Sequence, residues 1–172
     1  DSISLMPTNL YGPKDNYHLM NSHVIPSLIR KFSSASNNGE EAVTCWGDGS
    51  PLREFLHVDD LAEACIFALE NWDPNSKYAP KKSNGEILSW LNVGHEEEFS
   101  IKQLSEKVAN YSGFKGKIIW DKEKPNGTPR KKLNIDRLKK LGWEAKIGID
   151  KGLRETLISY KKENEEGILR SF

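Results

Sequence analysis

The chain has 172 residues, 37% of them apolar and 29% charged, and its 25 basic and 25 acidic side chains give a formal net charge of zero. That length and apolar content support one globular domain with a proper core, and the absent net charge removes any bulk attraction to nucleic acid or to an anionic membrane. No apolar run approaches the roughly 20 residues needed to span a bilayer, and Cys45 and Cys65 lack the spacing of a zinc site or redox pair, which suits a reducing, cytoplasmic setting.

Ile3 and Leu5 lead into Met6-Pro7-Thr8-Asn9-Leu10-Tyr11-Gly12-Pro13. The bracketing prolines and Gly12 predict a strand ending in an extended loop. It is either an ordinary strand-to-helix turn or a loop whose main chain a bulky ligand approaches at Gly12. Asn21 and Ser22 are good helix starters, so a helix is predicted over residues 22–34, with Ile25, Leu28, Ile29 and Phe32 on one face. The polar run 33–39 should end it. His23 then falls in the first turn, where a helix N-terminus favours neutral imidazole, and is a candidate acid or base.

Residues 42–46 read as a strand closed by Gly47-Asp48-Gly49-Ser50-Pro51. Trp46 is either a core indole or a flat surface for a base or sugar. Arg53 leaves the sheet edge as a planar five-donor fork suited to phosphate, the alternative being a surface ion pair with Glu54 or a neighbour. His57-Val58-Asp59-Asp60 has no further ligands at metal spacing. Asp59 is expected to cap a helix carrying Leu61, Ala64, Cys65, Ala68 and Leu69 and ending near Asn71, with His57 structural.

Residues 73–85 are expected to form an exposed excursion, residues 87–93 a strand, and Glu96-Glu97-Glu98 a solvated loop. Ser100 and Gln103 make a capping box for a helix with Ile101, Leu104, Val108 and Tyr111 that stops at Gly113; a short strand follows at 117–120. Pro125-Asn126-Gly127-Thr128-Pro129-Arg130-Lys131-Lys132 sets three cations behind tight-turn residues, either an anion-accepting rim or a plain basic loop. The cations of 130–140 interleave with Leu133, Ile135 and Leu138 rather than with aromatic stackers, which argues against nucleic acid. Asp150 should start a last helix with Leu153, Leu157 and Tyr160 on one face, and the chain should fray after Lys161.

The run 5–13, Asp15-Asn16, Asn21-Ser22-His23-Val24-Ile25-Pro26, Trp46-Gly47, Arg53-Glu54-Phe55-Leu56-His57-Val58-Asp59-Asp60 and Gly127-Thr128-Pro129-Arg130-Lys131 resemble, in this order over about residues 1–160, the GDP-L-fucose synthases of the extended short-chain dehydrogenase/reductase superfamily. The run from Arg53 resembles nucleotide-sugar enzymes of many kinds, whereas those from Asn21 and Gly127 are closer to fucose synthases. Alternating strand and helix signals predict an α/β substrate-binding domain with the last strands of a Rossmann-type parallel sheet attached. Residues 1–21 would be the end of an NADP-binding Rossmann domain with an active-site loop, 22–164 a nucleotide-sugar substrate-binding domain and 165–172 a frayed tail.

The resemblance further implies conversion of GDP-4-keto-6-deoxy-D-mannose to GDP-L-fucose with NADP(H), which the N-terminal half would mostly bind. The family's glycine-rich fingerprint, Tyr-x-x-x-Lys pair with its Ser, and catalytic Cys all precede the strand on which this chain opens. The chain is therefore expected to be the C-terminal part of a longer enzyme, homodimeric when whole and inactive as this part alone. By the same resemblance His23 is the acid, and Pro7, Thr8, Asn9, Leu10 and His23 border the nicotinamide. Lys31, Trp46, Arg53 and Asn126 bind the GDP-sugar. For Lys31 the alternative is a solvated lysine, with Arg30 as another holder. Asn126 stands where the family commonly has an acid, so its contact would be a neutral one. Competing readings are another nucleotide-sugar epimerase or dehydratase of the superfamily and a non-catalytic nucleotide-sugar-binding module.

Overall fold

The computed structural model describes residues 2–170. In chain order its elements are β1 (Ser4–Pro7), β2 (Asn9–Tyr11), α1 (Val24–Asn38), β3 (Ala42–Trp46), β4 (Leu52–His57), α2 (Val58–Asn71), β5 (Trp90–Val93), β6 (Glu98–Ser100), α3 (Ile101–Ser112), β7 (Lys117–Asp121), β8 (Arg130–Lys131), α4 (Asp136–Leu141) and α5 (Ile149–Glu165). Pairing is parallel between β1 and β5, β2 and β4, β3 and β7, and β4 and β8; β6 runs antiparallel to β4. Parallel neighbours require long crossovers, which the intervening helices supply, so the architecture is the expected α/β one with parallel sheets.

Two apolar cores meet at β4. Side chains alternate across a strand. Phe55 enters the core made by α1, α3, α5 and the inner face of β3, with Ile25, Ile29, Phe32, Leu104, Val108 and Leu153. Leu56 enters the other, made by β5, α2 and α4, with Ala64, Leu91, Val93, Leu138 and Trp143. Arg53 has the parity of Phe55, and Glu54 that of Leu56.

Several element boundaries differ from expectation. Helix α1 begins later than Ser22: its N-cap is His23, with extended backbone (φ −68°, ψ 170°) and no side-chain cap bond. Pro26 accounts for this start, because proline fits the first turn, where its missing N–H would have no helical partner. The polar run 33–39 does not end the helix. Ser33 and Ala35 are buried, Ser33 Oγ lies 3.5 Å from Ser112 Oγ of α3, and the stop is Gly39 in the left-handed region (φ 66°). Helix α2 is capped by His57 rather than Asp59: buried His57 Nδ1 accepts the Asp59 N–H at 3.3 Å, and Asp59 lies in the first turn.

The Ser100–Gln103 capping box on α3 and the Gly113 stop are as predicted. Strand β5 starts at Trp90 rather than residue 87, and Glu98 belongs to β6 rather than to a loop. Helix α5 is capped by Gly148, with Asp150 in its first turn, and continues past Lys161. The described part of the tail is tied down: Ile168 N–H donates to Glu163 O (3.0 Å) and Tyr17 N–H to Arg170 O (2.8 Å). Asp1 and residues 171–172 lie outside the described residues.

Candidate functional site

A concavity of about 250 Å³ opens where β3, β4 and the loop after β7 converge, and Asn9, Val24, Trp46, Arg53, Pro125 and Asn126 line it. Trp46 ends β3 on its outward face and is 61% exposed, which excludes the core-indole alternative. Arg53 reaches the same space from β4. Its Nη1 donates to Leu52 O at 2.8 Å, and among the described residues no carboxylate pairs with it. Glu54 is not its partner, because strand alternation turns Glu54 inward, where it is fully buried. A guanidinium fork without an internal anion beside a flat indole suits a ligand that joins an anion to a ring.

Lys31 stands on α1 and reaches β3. Its Nζ donates to Thr44 O at 3.3 Å, and with His18, Ser22, Ser27, Arg30 and Thr44 it borders a second hollow of about 480 Å³. Arg30 is held by Tyr17 O at 2.6 Å. In the chain His23 lies between Ser22, which borders the second hollow, and Val24, which borders the first. Its imidazole is exposed. Trp46, Arg53, Asn126 and Asn9 are thus brought together, while Lys31 borders the second hollow and His23 is in the lining of neither.

The segment predicted to face a nicotinamide offers a single wall. Pro7 is exposed, Asn9 and Leu10 are half-buried, and Thr8 is buried. Thr8 Oγ1 (3.2 Å) and Asn9 Nδ2 (2.8 Å) both donate to Glu54 O, and Leu10 packs on the second core. The side-chain donors of Thr8 and Asn9 are thus spent internally, which leaves Pro7 as the exposed side chain of the four. Gly12 is not where a ligand approaches: it is buried against α2, where a Cβ would lie 2.5 Å from Val58 Cγ2.

The basic rim at 130–132 is also altered. Arg130 makes a two-pronged pair with Glu98 (2.8 and 2.5 Å), and Lys132 donates to Glu96 O (2.8 Å) with Glu98 nearby. Only Lys131 of the three lacks an internal partner among the described residues, because the supposedly solvated acids fold back onto their neighbours. Asn126 is engaged too: its Oδ1 accepts the Asp48 N–H at 2.8 Å.

Two acids escaped sequence reasoning. Glu54 accepts the N–H groups of His95 (2.7 Å) and Leu133 (3.0 Å), while its carbonyl holds Thr8 and Asn9, so it pins the floor of the site to the second core. Asp15 lies half-buried near His23; burial raises its carboxyl pKa, against the Asn16 N–H and the positive charges of His23 and Arg170. Its place in the run Asp15-Asn16 was a signal; Glu54 left none, since its partners are main-chain groups far along the chain. Among the described residues no group of three or more potential metal ligands occurs, and no helix is long and apolar enough to cross a membrane.

Residues 1–80 match the NAD dependent epimerase/dehydratase family. The chain is 48% identical over 162 residues to GDP-L-fucose synthase 1 of Arabidopsis thaliana, covering 94% of this chain and 46% of that protein. This chain is a homologue of the GDP-L-fucose synthases. The synthase of Escherichia coli is 44% identical over 160 residues, 91% of this chain and 47% of its own length. The solved GDP-L-fucose synthetase of Naegleria fowleri bound to NADP superposes with a TM-score of 0.80 at 25% identity, over 95% of this chain and 47% of that one. The chain thus spans about half the length of the synthases it matches.

Proposed function

We propose that this chain is the nucleotide-sugar-binding part of an enzyme that converts GDP-4-keto-6-deoxy-D-mannose to GDP-L-fucose, a cytoplasmic homodimer when whole. The observation that carries this reading is the meeting of Trp46, Arg53 and Asn126, from three separated stretches, in one concavity of a chain homologous to these synthases over 94% of its length. Arg53 grips the diphosphate as a bidentate fork, Lys31 adds a cation from α1, and Trp46 offers its face to the base or sugar. Asn126 closes the far wall.

The chemistry asks for an acid. A ketone at C4 acidifies the protons on C3 and C5, so each can be removed by a base and returned to the opposite face by an acid. His23 returns that proton: its imidazole is exposed at the N-terminus of α1. NADPH, when bound, supplies the hydride that reduces the ketone. The main chain of residues 7–10, with the exposed Pro7 ring, is the wall against which the nicotinamide would be oriented.

Calorimetry of the chain with GDP, UDP and dTDP tests the reading. Preference for GDP supports it, and preference for UDP moves the chain to the 4-epimerases. Alone with the keto-sugar, the chain is expected not to oxidise NADPH.

A further inference from the structure

Two loops form the mouth of the concavity, and their joint is built from side chains. The turn 47–50 carries Trp46 at its start and leads through Pro51 to Arg53. The loop 122–127 lies across it: Lys124 Nζ sits 5.8 Å from the centre of the Trp46 ring, and a Cβ on Gly127 would lie 3.6 Å from Arg53 Nη2. This second loop is pinned at its ends by Gly47 N–H donating to Asp121 O and Leu52 N–H donating to Pro129 O, each 2.8 Å. Between those pins, among the described residues, the hydrogen bond that ties it to the turn is Asp48 N–H to Asn126 Oδ1, at 2.8 Å.

The surroundings favour this bond. Gly47 is left-handed (φ 77°), and a Cβ there would stand 2.2 Å from Asn126 Oδ1, so a glycine lets the amide reach the turn. Asp48 Oδ1 accepts the Ser50 N–H at 2.8 Å. The bonds from Ser50, and then that from the Asn126 side chain, hold the Asp48 carboxyl below its ordinary pKa. Asn126 therefore meets an acceptor and a donor on one residue, a pattern an amide satisfies and a carboxylate does not.

We propose that Asn126 and Asp48 form a latch that sets Trp46, Arg53 and Lys124 as a single clamp for a nucleoside diphosphate, Asn126 acting as a positioning residue through the 47–50 turn. This deepens the reading of the concavity given above and rests on it. Lys124, unpaired among the described residues, thereby joins Arg53 as a second cation at the mouth. Asn126→Asp would still let position 126 accept the Asp48 N–H, but it would remove the amide donor and set two carboxylates face to face, and their repulsion would loosen the latch. Exchanging the two residues, Asp48→Asn with Asn126→Asp, matches the pair again: the carboxylate now at 126 accepts both the main-chain N–H and the side-chain amide N–H of position 48.

The test measures GDP affinity by calorimetry for the wild-type chain, Asn126→Asp, Asn126→Ala and the double variant Asp48→Asn/Asn126→Asp. Each single variant is expected to bind about tenfold more weakly with an unchanged unfolding midpoint, and the double variant to return to within about twofold of wild type. Equal binding by Asn126→Ala and wild type overturns the proposal, as does a double variant that folds but stays weak. Amide exchange at Asp48 gives a ligand-free readout. Asn126→Ala should speed it and the double variant should restore its protection. If the wild-type chain takes no GDP, the functional reading fails while this protection pattern still supports the latch; unaltered exchange in Asn126→Ala overturns it.

Discussion

The two cores on either side of β4 differ in how completely they are enclosed. The first is sealed by α1, α3 and α5 packing on one another and on β3 and β7, with Phe32 and Leu104 at 0% exposure. Each core covers a two-stranded parallel pair, β3 with β7 in the first and β1 with β5 in the second. The first carries three helices and leaves Ile119 (49%) and Ile158 (68%) toward solvent, whereas the second carries two and leaves Met6 (53%), Ile66 (58%), Leu69 (81%) and Trp90 (40%). A two-stranded sheet is marginal by itself. Apart from Asn9 and the loop at 125–126, the ligand-facing residues stand on α1, β3 and β4, elements of the better enclosed core, so the site's geometry should be less sensitive to change in the second core than the overall stability is.

The sharpest test truncates the sealed side. Phe32→Ala should cost about 3–5 kcal/mol in urea unfolding and remove GDP binding along with the fold. A loss below about 1 kcal/mol would mean that the first core is not what holds the site. Next, Glu54→Gln should cost about 1–3 kcal/mol, because an amide nitrogen then confronts one of the two N–H groups that the carboxylate accepts. Since this residue joins the cores, affinity should fall with stability; an unchanged affinity would make the second core irrelevant to ligand. Arg53→Ala should leave the unfolding midpoint in place and weaken GDP about 10- to 100-fold in calorimetry.

The smallest effect concerns acid. Asp150 on α5 accepts from Lys107 Nζ and Tyr111 Oη, each at 2.7 Å, and these bonds hold its carboxyl pKa below the ordinary 3.8. A carboxyl depressed in the folded state stabilises above its unfolded pKa and loses that contribution as pH falls through its folded one. Wild type should exceed Asp150→Asn in unfolding midpoint at neutral pH, and the gap should narrow below about pH 4. A gap that widens in acid would reverse the assignment.

Much of this was legible in the chain because it is written locally. The Ser100–Gln103 box, the Gly113 stop and the inner faces of α1, α3 and α5 follow from spacing alone. Helix α1 was misplaced at its start because Asn21 and Ser22 look like caps, whereas Pro26 governs the first turn. Its end was misjudged because Ser33 is polar but buried against Ser112. The resemblance singled out Trp46, Arg53 and Asn126, but no local pattern could show that Asn126 is tied to Asp48, or that Glu98 and Glu96 engage the basic loop. Those bonds join residues that only the folded sheet makes neighbours.

Arg53 and Glu54 are consecutive, yet one presents a cation to the outside and the other buries an anion that organises remote main-chain donors. Sliding β4 by one position against β2 and β6 would exchange them, driving a guanidinium among N–H groups and turning a negative charge toward a phosphate. Misalignment is thus penalised twice by electrostatics, so the polarity of the binding face doubles as a check that the strand has been threaded correctly.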